Sequence, residues 1–400
     1  MANSRILRIK RLCIIEPVFT QYRLPVYVEL SRHCNVDWVF SPSAGNSGFG
    51  SVDRPEAPNL RYIEIPTLRP FGEKVGTVQW GLAKYVLREK PDVILATADL
   101  NCFSFWTTLL LVRLKGIPFY AHGHGFFKKR KLDSFRRSLM KLLLRLVTSY
   151  IAYAPAVRDS FAAHGFSVEN ISVAHNSLVN SFPVRPEEKT GGERGILFIG
   201  RLRRGNGLEL LLRVVRRLRE VDGFPVSLHV IGTGEEADQL QQEAARCSWV
   251  TWYGEIYDPK EIRAISLECA IGCYPGDAGI SVVHMMSLSL PVITHDDMLR
   301  HGPESSFIRN GLTGILFDHG RSEESLYGVL QSLVGEPSRA GAMQRSVFED
   351  YLSLVNPSLA ERLWSILSEG HVASTANLSV ERPWGVRRNS PQATRAKTTE

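Results

Sequence analysis

Short apolar runs alternate with helix-spaced segments from the start of the chain. Residues 12–15, 36–40, 93–96, 119–121 and 150–152 are short, largely apolar stretches of strand length, broken only by Asp37, the pattern of strands buried on both faces of a parallel sheet. Between them, residues 76–89 and 132–147 place apolar side chains at helical spacing, which supplies the crossovers a parallel sheet requires. Residues 180–194 are polar and carry Pro183, Pro186, Gly191 and Gly192, as a linker does. A second cycle then predicts strands at 195–200, 226–232, 250–254, 270–274, 291–294 and 314–317, with helices at 207–219 and 235–246. Residues 322–367 read as largely helical, interrupted at Pro337 and Pro357. The expected fold class is α/β, with two doubly wound Rossmann-like domains at 1–182 and 195–350, a linker at 183–194 and a C-terminal helix at 351–370. Residues 371–400 are poor in apolar side chains and are expected to stay unfolded.

Length agrees with two domains, since 400 residues exceed what one core usually organises. No run approaches the roughly 18 uninterrupted apolar residues of a membrane span. The most apolar segment, residues 103–112, contains Ser104, Thr107 and Thr108 and ends at Arg113, which predicts a buried helix. Glu16 and Pro17 stop the first apolar run before a signal-peptide core forms, so a cytoplasmic protein is expected. Six scattered cysteines read as small buried hydrophobes, and they suit neither a redox nor a zinc motif. A net charge of +7 favours acidic partners.

Two glycine turns carry the candidate chemistry. In the first, the strand at 195–199 meets Gly200-Arg201-Leu202-Arg203-Arg204-Gly205-Asn206-Gly207 and then a helix. Glycines let backbone N–H groups approach a phosphate, the helix N-terminus attracts anions, and Arg201, Arg203 and Arg204 add charge-assisted donors; a solvated turn is the other reading. In the second, Tyr274-Pro275-Gly276-Asp277-Ala278-Gly279-Ile280-Ser281 again leads from a strand into a helix. A diphosphate fits at Gly279, Ile280 and Ser281, with His284 one turn on, in reach of a ribose hydroxyl or packed in the core. Gly232-Thr233-Gly234 with Glu255 some twenty residues later imitates a dinucleotide fingerprint. It lies on the second strand of its domain beside Glu235 and Glu236, which argues against a pyrophosphate there.

Together the two turns resemble the donor half of glycosyltransferase family four, the retaining enzymes of GT-B architecture. Gly200-Arg201-Leu202, Gly232-Thr233-Gly234 and Leu290-Pro291-Val292-Ile293 match its pattern. The N-terminal half is more loosely similar, through Gln21-Tyr22-Arg23-Leu24-Pro25 and His122-Gly123-His124-Gly125. Three positions depart: Asn206 stands where the family usually has lysine, Gly276 where it has a first glutamate and His284 where it has a second. With Thr294-His295-Asp296-Asp297 and Pro303-Glu304, the run looks like a branch that carries this variant turn in polysaccharide-assembly enzymes of the cell envelope. Arg203 and Arg204 are candidates for the missing cation, Asp277 and Glu304 for the missing carboxylate.

The resemblance implies transfer of a sugar from a nucleotide-sugar donor to a polysaccharide or lipid-linked saccharide acceptor. It implies retention, no metal and no cofactor. His124 would lie near the transferred sugar, or else is a loop histidine, and Gln21 and Arg23 face the acceptor. An inactive GT-B homologue that binds sugar or nucleotide, or acts as a scaffold, is the competing class, and the three departures are its support. Lys128, Lys129, Arg130 and Lys131 lead into a helix through Arg145, basic on one side and apolar through Leu132, Phe135, Leu139, Leu142, Leu143 and Leu146 on the other. That segment suits an anionic membrane surface at the inner face of the cell membrane, or a core helix with a solvated side. No nucleic-acid module is evident.

Overall fold

The computed structural model describes residues 7–42, 54–70, 76–127, 133–190 and 194–369. The N-terminal half contains β1 (Arg11–Val18), β2 (Asn35–Ser41), β3 (Leu60–Glu64), β4 (Thr67–Leu68), β5 (Val78–Gln79), β6 (Val93–Thr97), β7 (Phe119–Gly123), β8 (Ser149–Ala152) and β9 (Ile171–Val173). Seven of these form a sheet in the order β3-β2-β1-β6-β7-β8-β9, and every pairing in it is parallel. β4 and β5 make a separate antiparallel pair.

The second half contains β10 (Gly195–Ile199), β11 (Ser227–Ile231), β12 (Val250–Gly254), β13 (Cys269–Cys273), β14 (Val292–His295) and β15 (Gly314–Phe317). They form a second parallel sheet, β12-β11-β10-β13-β14-β15. In both sheets the strand order reverses beside the first strand, which creates a crevice at the C-terminal strand ends. This is the predicted α/β class with two Rossmann-like units.

Each sheet is buried because apolar strands need cover on both faces. One apolar cluster around Cys13, Ile94, Phe105, Ala121 and Phe161 fills one side of the first sheet. Another around Leu12, Trp38, Leu95 and Tyr120 fills the other, so alternate residues of the same strands serve opposite faces. The second unit has one continuous core, which runs from Val184 to Leu354. The last two helices divide between the units. Tyr351 and Leu354 of the helix Pro337–Val355 belong to the second core. Leu359, Leu363 and Leu367 of the helix Leu359–Glu369 pack on the first, where Ser358 Oγ donates to Glu29 at 2.7 Å.

Several expectations need adjustment. The helix expected at 76–89 is confined to Leu82–Glu89, because Gly76 and Gly81 hold φ of 61° and 91°, left-handed values that interrupt a right-handed helix. The apolar segment after Cys102 forms the helix Phe103–Leu114, but it is not buried all round: Phe103, Leu110, Leu111 and Leu114 are exposed. The next helix is Ser134–Leu146, capped by Asp133, whose side chain accepts from the Arg136 N–H at 2.7 Å. Met140 and Leu143 face inward there, whereas Phe135 and Leu142 are exposed. The basic residues Lys128, Lys129, Arg130 and Lys131, with Leu132, lie outside the described residues, as do residues 370–400. Among the described residues no helix is long and apolar enough to cross a membrane, and all six cysteines are free thiols.

Candidate functional site

A cleft of about 530 Å³ opens between the two units at the C-terminal strand ends. Gln21, Tyr22 and Pro25 line it from the first unit, and Gly200, Arg201, Gly232, Thr233, Ile256 and His284 from the second. Leu178, Val179, Asn180 and Ser181, where the chain passes from one unit to the other, close one end. Asn180 fixes this crossing: its N–H donates to Tyr351 Oη and its Nδ2 to Ser287 Oγ, both at 2.9 Å.

The two glycine turns meet directly. The Gly276 N–H donates to the Asn206 carbonyl and the Asp277 N–H to the Gly205 carbonyl, each at 3.0 Å. A Cβ on Gly276 would lie 2.0 Å from the Gly205 oxygen and 2.4 Å from the Asn206 carbonyl carbon. Glycine is therefore required here by backbone approach, and the glutamate usual in the family has no room. Asn206 is buried, and its Oδ1 accepts from the Leu208 N–H at 2.7 Å, which satisfies a donor at the start of the helix Leu208–Glu220. It closes the turn where lysine would have presented a charge.

Of the three arginines, Arg201 is exposed and lines the cleft. Arg203 turns aside, with Nη2 3.4 Å from the Asp277 carbonyl. Arg204 is exposed, and its backbone N–H meets Glu235 at 3.4 Å. Ser281, at the start of the helix Ser281–Ser287, places Oγ 3.0 Å from where a Cβ on Gly200 would sit. The second turn, with Gly279 and Ile280, is thus brought against the cleft wall. His284 faces the cleft, and burial lowers its pKa to about 4, so the ring is neutral near pH 7 and able to donate to or accept from a hydroxyl.

Both candidate replacement carboxylates have partners within the protein. Asp277 is paired with Arg300 Nε at 2.8 Å and lies 3.6 Å from His295 Nε2. Glu304 is buried, and its Oε1 accepts from Asn176 Nδ2, a residue of the first unit. That contact joins the units beside Gly279 and Gly302. Asp277 is thus committed to Arg300, while Glu304 places its other oxygen against Gly279 of the second turn, 3.9 Å from where a Cβ would sit.

In the first unit, β7 delivers His122-Gly123-His124 to the sheet edge. Tyr150 fixes the loop, its hydroxyl accepting from the Gly125 N–H at 2.9 Å. His124 is half-buried, whereas His122 is fully enclosed against Tyr153, with ring centroids 4.4 Å apart. Burial holds the His122 pKa well below its usual value, and the nearby Arg23 adds to this. Arg23 itself is 1% exposed. Its guanidinium sits between the rings of Tyr22 and Tyr153, 5.3 and 5.2 Å from their centroids, with Nε 3.9 Å from Glu16. The expectation that Arg23 offers a charge to the acceptor is corrected: it is enclosed and shapes the loop that presents Gln21 and Tyr22. Asn176, Arg300 and His301 carry no sequence signal of their own, because their roles come from contacts between the units or between turns, which no local spacing marks.

Two facing Rossmann-like units with a nucleotide-sized cleft define the GT-B class of fold. A model described as Glycosyltransferase Family 4 matches residues 29–178, and one described as Glycosyl transferases group 1 matches 193–335. Together they cover most of the chain, which belongs to the family-four type of GT-B glycosyltransferases. It is similar to the lipopolysaccharide 1,6-galactosyltransferase of Salmonella typhimurium, 25% identical over 198 residues, or 47% of this chain and 53% of that protein. The match thus spans about half the length of that relative. The fold is similar to that of Anabaena Alr3699/HepE in complex with UDP and glucose, with TM-score 0.61, 14% identity, and 88% of this chain and 98% of that one covered. It also resembles the lipopolysaccharide outer core galactosyltransferase WaaB in its apo form, with TM-score 0.55, 16% identity, and 86% and 99% covered.

Proposed function

We propose that the protein transfers a hexose from a nucleoside diphosphate sugar to a saccharide or lipid-linked saccharide acceptor, without a metal and with retention. The carrying observation is the pair of glycine turns hydrogen-bonded to each other at the cleft, with Arg201 on its wall. Arg201 and the backbone N–H groups of Gly279, Ile280 and Ser281 receive the diphosphate, and Ile256, Pro259 and Ile262 offer an apolar wall to the base. His284 hydrogen-bonds the ribose or sugar. His124 meets the transferred hexose from the opposite unit, and Gln21 lies on the acceptor side. The bond from the anomeric carbon to the diphosphate oxygen breaks while the acceptor oxygen bonds to that carbon on the same face, and the acceptor's proton leaves with the diphosphate. Protein donors aimed at the developing negative charge provide the stabilisation a metal gives elsewhere.

Uridine diphosphate is the first nucleotide to test, since the Anabaena neighbour is described with UDP and the Salmonella relative as a galactosyltransferase. Gly276 and Asn206 each have a structural use where the family residue is missing, which supports an adapted site over a decayed one. A panel of UDP-, GDP- and ADP-hexoses, read by melting temperature and by donor hydrolysis, tests this. Stabilisation and turnover with one donor are expected. Binding without turnover on any acceptor would favour the inactive, scaffold reading.

The acceptor reaches this site from an anionic membrane surface at the inner face of the cell membrane. Leu110, Leu114, Phe135 and Leu142 are exposed on two neighbouring helices, which Arg113 ties together by donating to the Leu146 carbonyl at 3.2 Å. Arg137, Lys141 and Arg145 flank them, exposed. Apolar side chains ringed by cations suit lipid headgroups, each cation contributing about 1 kcal/mol. Co-sedimentation with phosphatidylglycerol vesicles that weakens in salt is expected. Equal binding to phosphatidylcholine vesicles, or none to either, would contradict it.

A further inference from the structure

The residues just before Pro303 grip the second glycine turn. Arg300 holds the Asp277 side chain at 2.8 Å, the Gly302 N–H donates to the Ala278 carbonyl at 2.7 Å, and between them His301 is wholly buried. His301 Nδ1 accepts from the Ala278 N–H at 3.0 Å, and its Nε2 lies 2.8 Å from the His295 carbonyl oxygen. An amide N–H only donates and a carbonyl only accepts. The ring therefore carries its proton on Nε2 and is neutral, because an imidazolium would turn an N–H against the Ala278 N–H. Burial lowers the pKa of His301, and His319 adds to this against the opposing pull of the His295 carbonyl, Asp277 and Asp297. The ring stacks on His295 with centroids 3.9 Å apart, and His295 is itself braced by the Asp297 N–H at 3.2 Å from Nδ1.

Both hydrogen-bonding groups of Ala278 are thus held from one side by residues 301 and 302, and its neighbour Asp277 by residue 300. Ala278 is two residues past Gly276, which is pinned to the first turn, and three before Ser281, which abuts Gly200 on the cleft wall. Releasing its N–H would free the segment that links these two anchors.

We propose that His301 is a positioning residue for the nucleotide-sugar donor, fixing the Ala278 N–H so that the turn from Gly276 to Ser281 stays in its diphosphate-receiving conformation. This rests on the donor-site reading above. Asparagine and glutamine separate the two halves of the ring: the Asn oxygen falls near Nδ1 and can accept from Ala278, whereas the Gln amide reaches toward the Nε2 position and leaves that N–H without an acceptor. UDP-glucose and UDP-galactose are titrated calorimetrically into the parent, His301→Asn and His301→Gln, with melting curves to count folded molecules. His301→Asn should bind within about threefold of the parent, and His301→Gln about tenfold or more weaker, an increment of about 1.4 kcal/mol. Equal affinity of the two variants per folded molecule, at the parent's level or below it, would overturn the positioning role and leave the donor-site reading standing. A parent that binds no UDP-, GDP- or ADP-sugar would overturn both.

Discussion

Gly276→Ala isolates the contact on which the site depends. The added methyl carbon would lie 2.0 Å from the Gly205 oxygen and 2.4 Å from the Asn206 carbonyl carbon. Both are backbone atoms with no rotamer to change, so the turns must separate by about 1 Å to restore van der Waals distance. The two hydrogen bonds between the turns, each 3.0 Å, then pass beyond bonding range. Their loss contributes about 1–3 kcal/mol together, and overpacking about 1–3 kcal/mol more. At about 2–4 °C per kcal/mol for a domain of this size, the melting temperature should fall by at least about 4 °C, and nucleotide affinity should fall with it. Gly328→Ala is the control: this glycine lies inside the helix Ser322–Gly335 and has nothing within 4 Å of the added carbon, so alanine should stabilise by about 0.5–1 kcal/mol. Calorimetric melting of both variants, with and without UDP-glucose, reads the comparison. A Gly276→Ala protein that melts and binds like the parent would refute the close approach of the turns.

Other perturbations follow from single contacts. Asn206→Ala removes the side-chain acceptor of the Leu208 N–H and should cost about 1 kcal/mol in chemical denaturation; an unchanged midpoint would contradict that role. His284→Ala should weaken nucleotide-sugar binding per folded molecule, whereas a destabilised protein with parental affinity would make His284 a packing residue. Burial lowers the pKa values of His175 and His284 to about 4 and of His295 to about 2. The unfolded chain binds these protons first, near pH 6.5, so stability is full above about pH 7 and is lost as pH falls through 6.5 toward 4, by up to about 1.4 kcal/mol per pH unit for each histidine. Melting temperatures flat from pH 8 to 5 would contradict the burial of these rings.

Strand positions were legible where burial on both faces produced an apolar run, as in β1, β6, β7 and β10, and in β2 despite its buried Asp37. β3, at one edge of its sheet, has no such run, because the exposed Arg61 and Glu64 interrupt its apolar residues. The helix Phe103–Leu114 misled in the opposite direction: its composition marks an interior helix, yet Leu114 is 84% exposed, since hydrophobicity alone does not say which face has a neighbour. The glycine turns were visible because a strand-turn-helix succession is local. What happens to Asp277 and Glu304 was not, because Arg300 and Asn176 reach them from other parts of the chain. Gly276 reads in sequence as a lost carboxylate, whereas the Gly205 and Asn206 carbonyls against it require a residue with no side chain.

The central claim, that a nucleotide-sugar diphosphate binds in the interdomain cleft, rests most directly on Arg201, which lines that cleft from the first glycine turn. The decisive measurement is calorimetric titration of parent and Arg201→Ala with the nucleotide sugar that the parent binds best, alongside melting curves. Loss of one charge-assisted contact, worth about 1.5–3 kcal/mol, predicts affinity weaker by about tenfold or more in a protein that still folds. Arg201→Ala binding every nucleotide sugar as tightly as the parent would contradict the account.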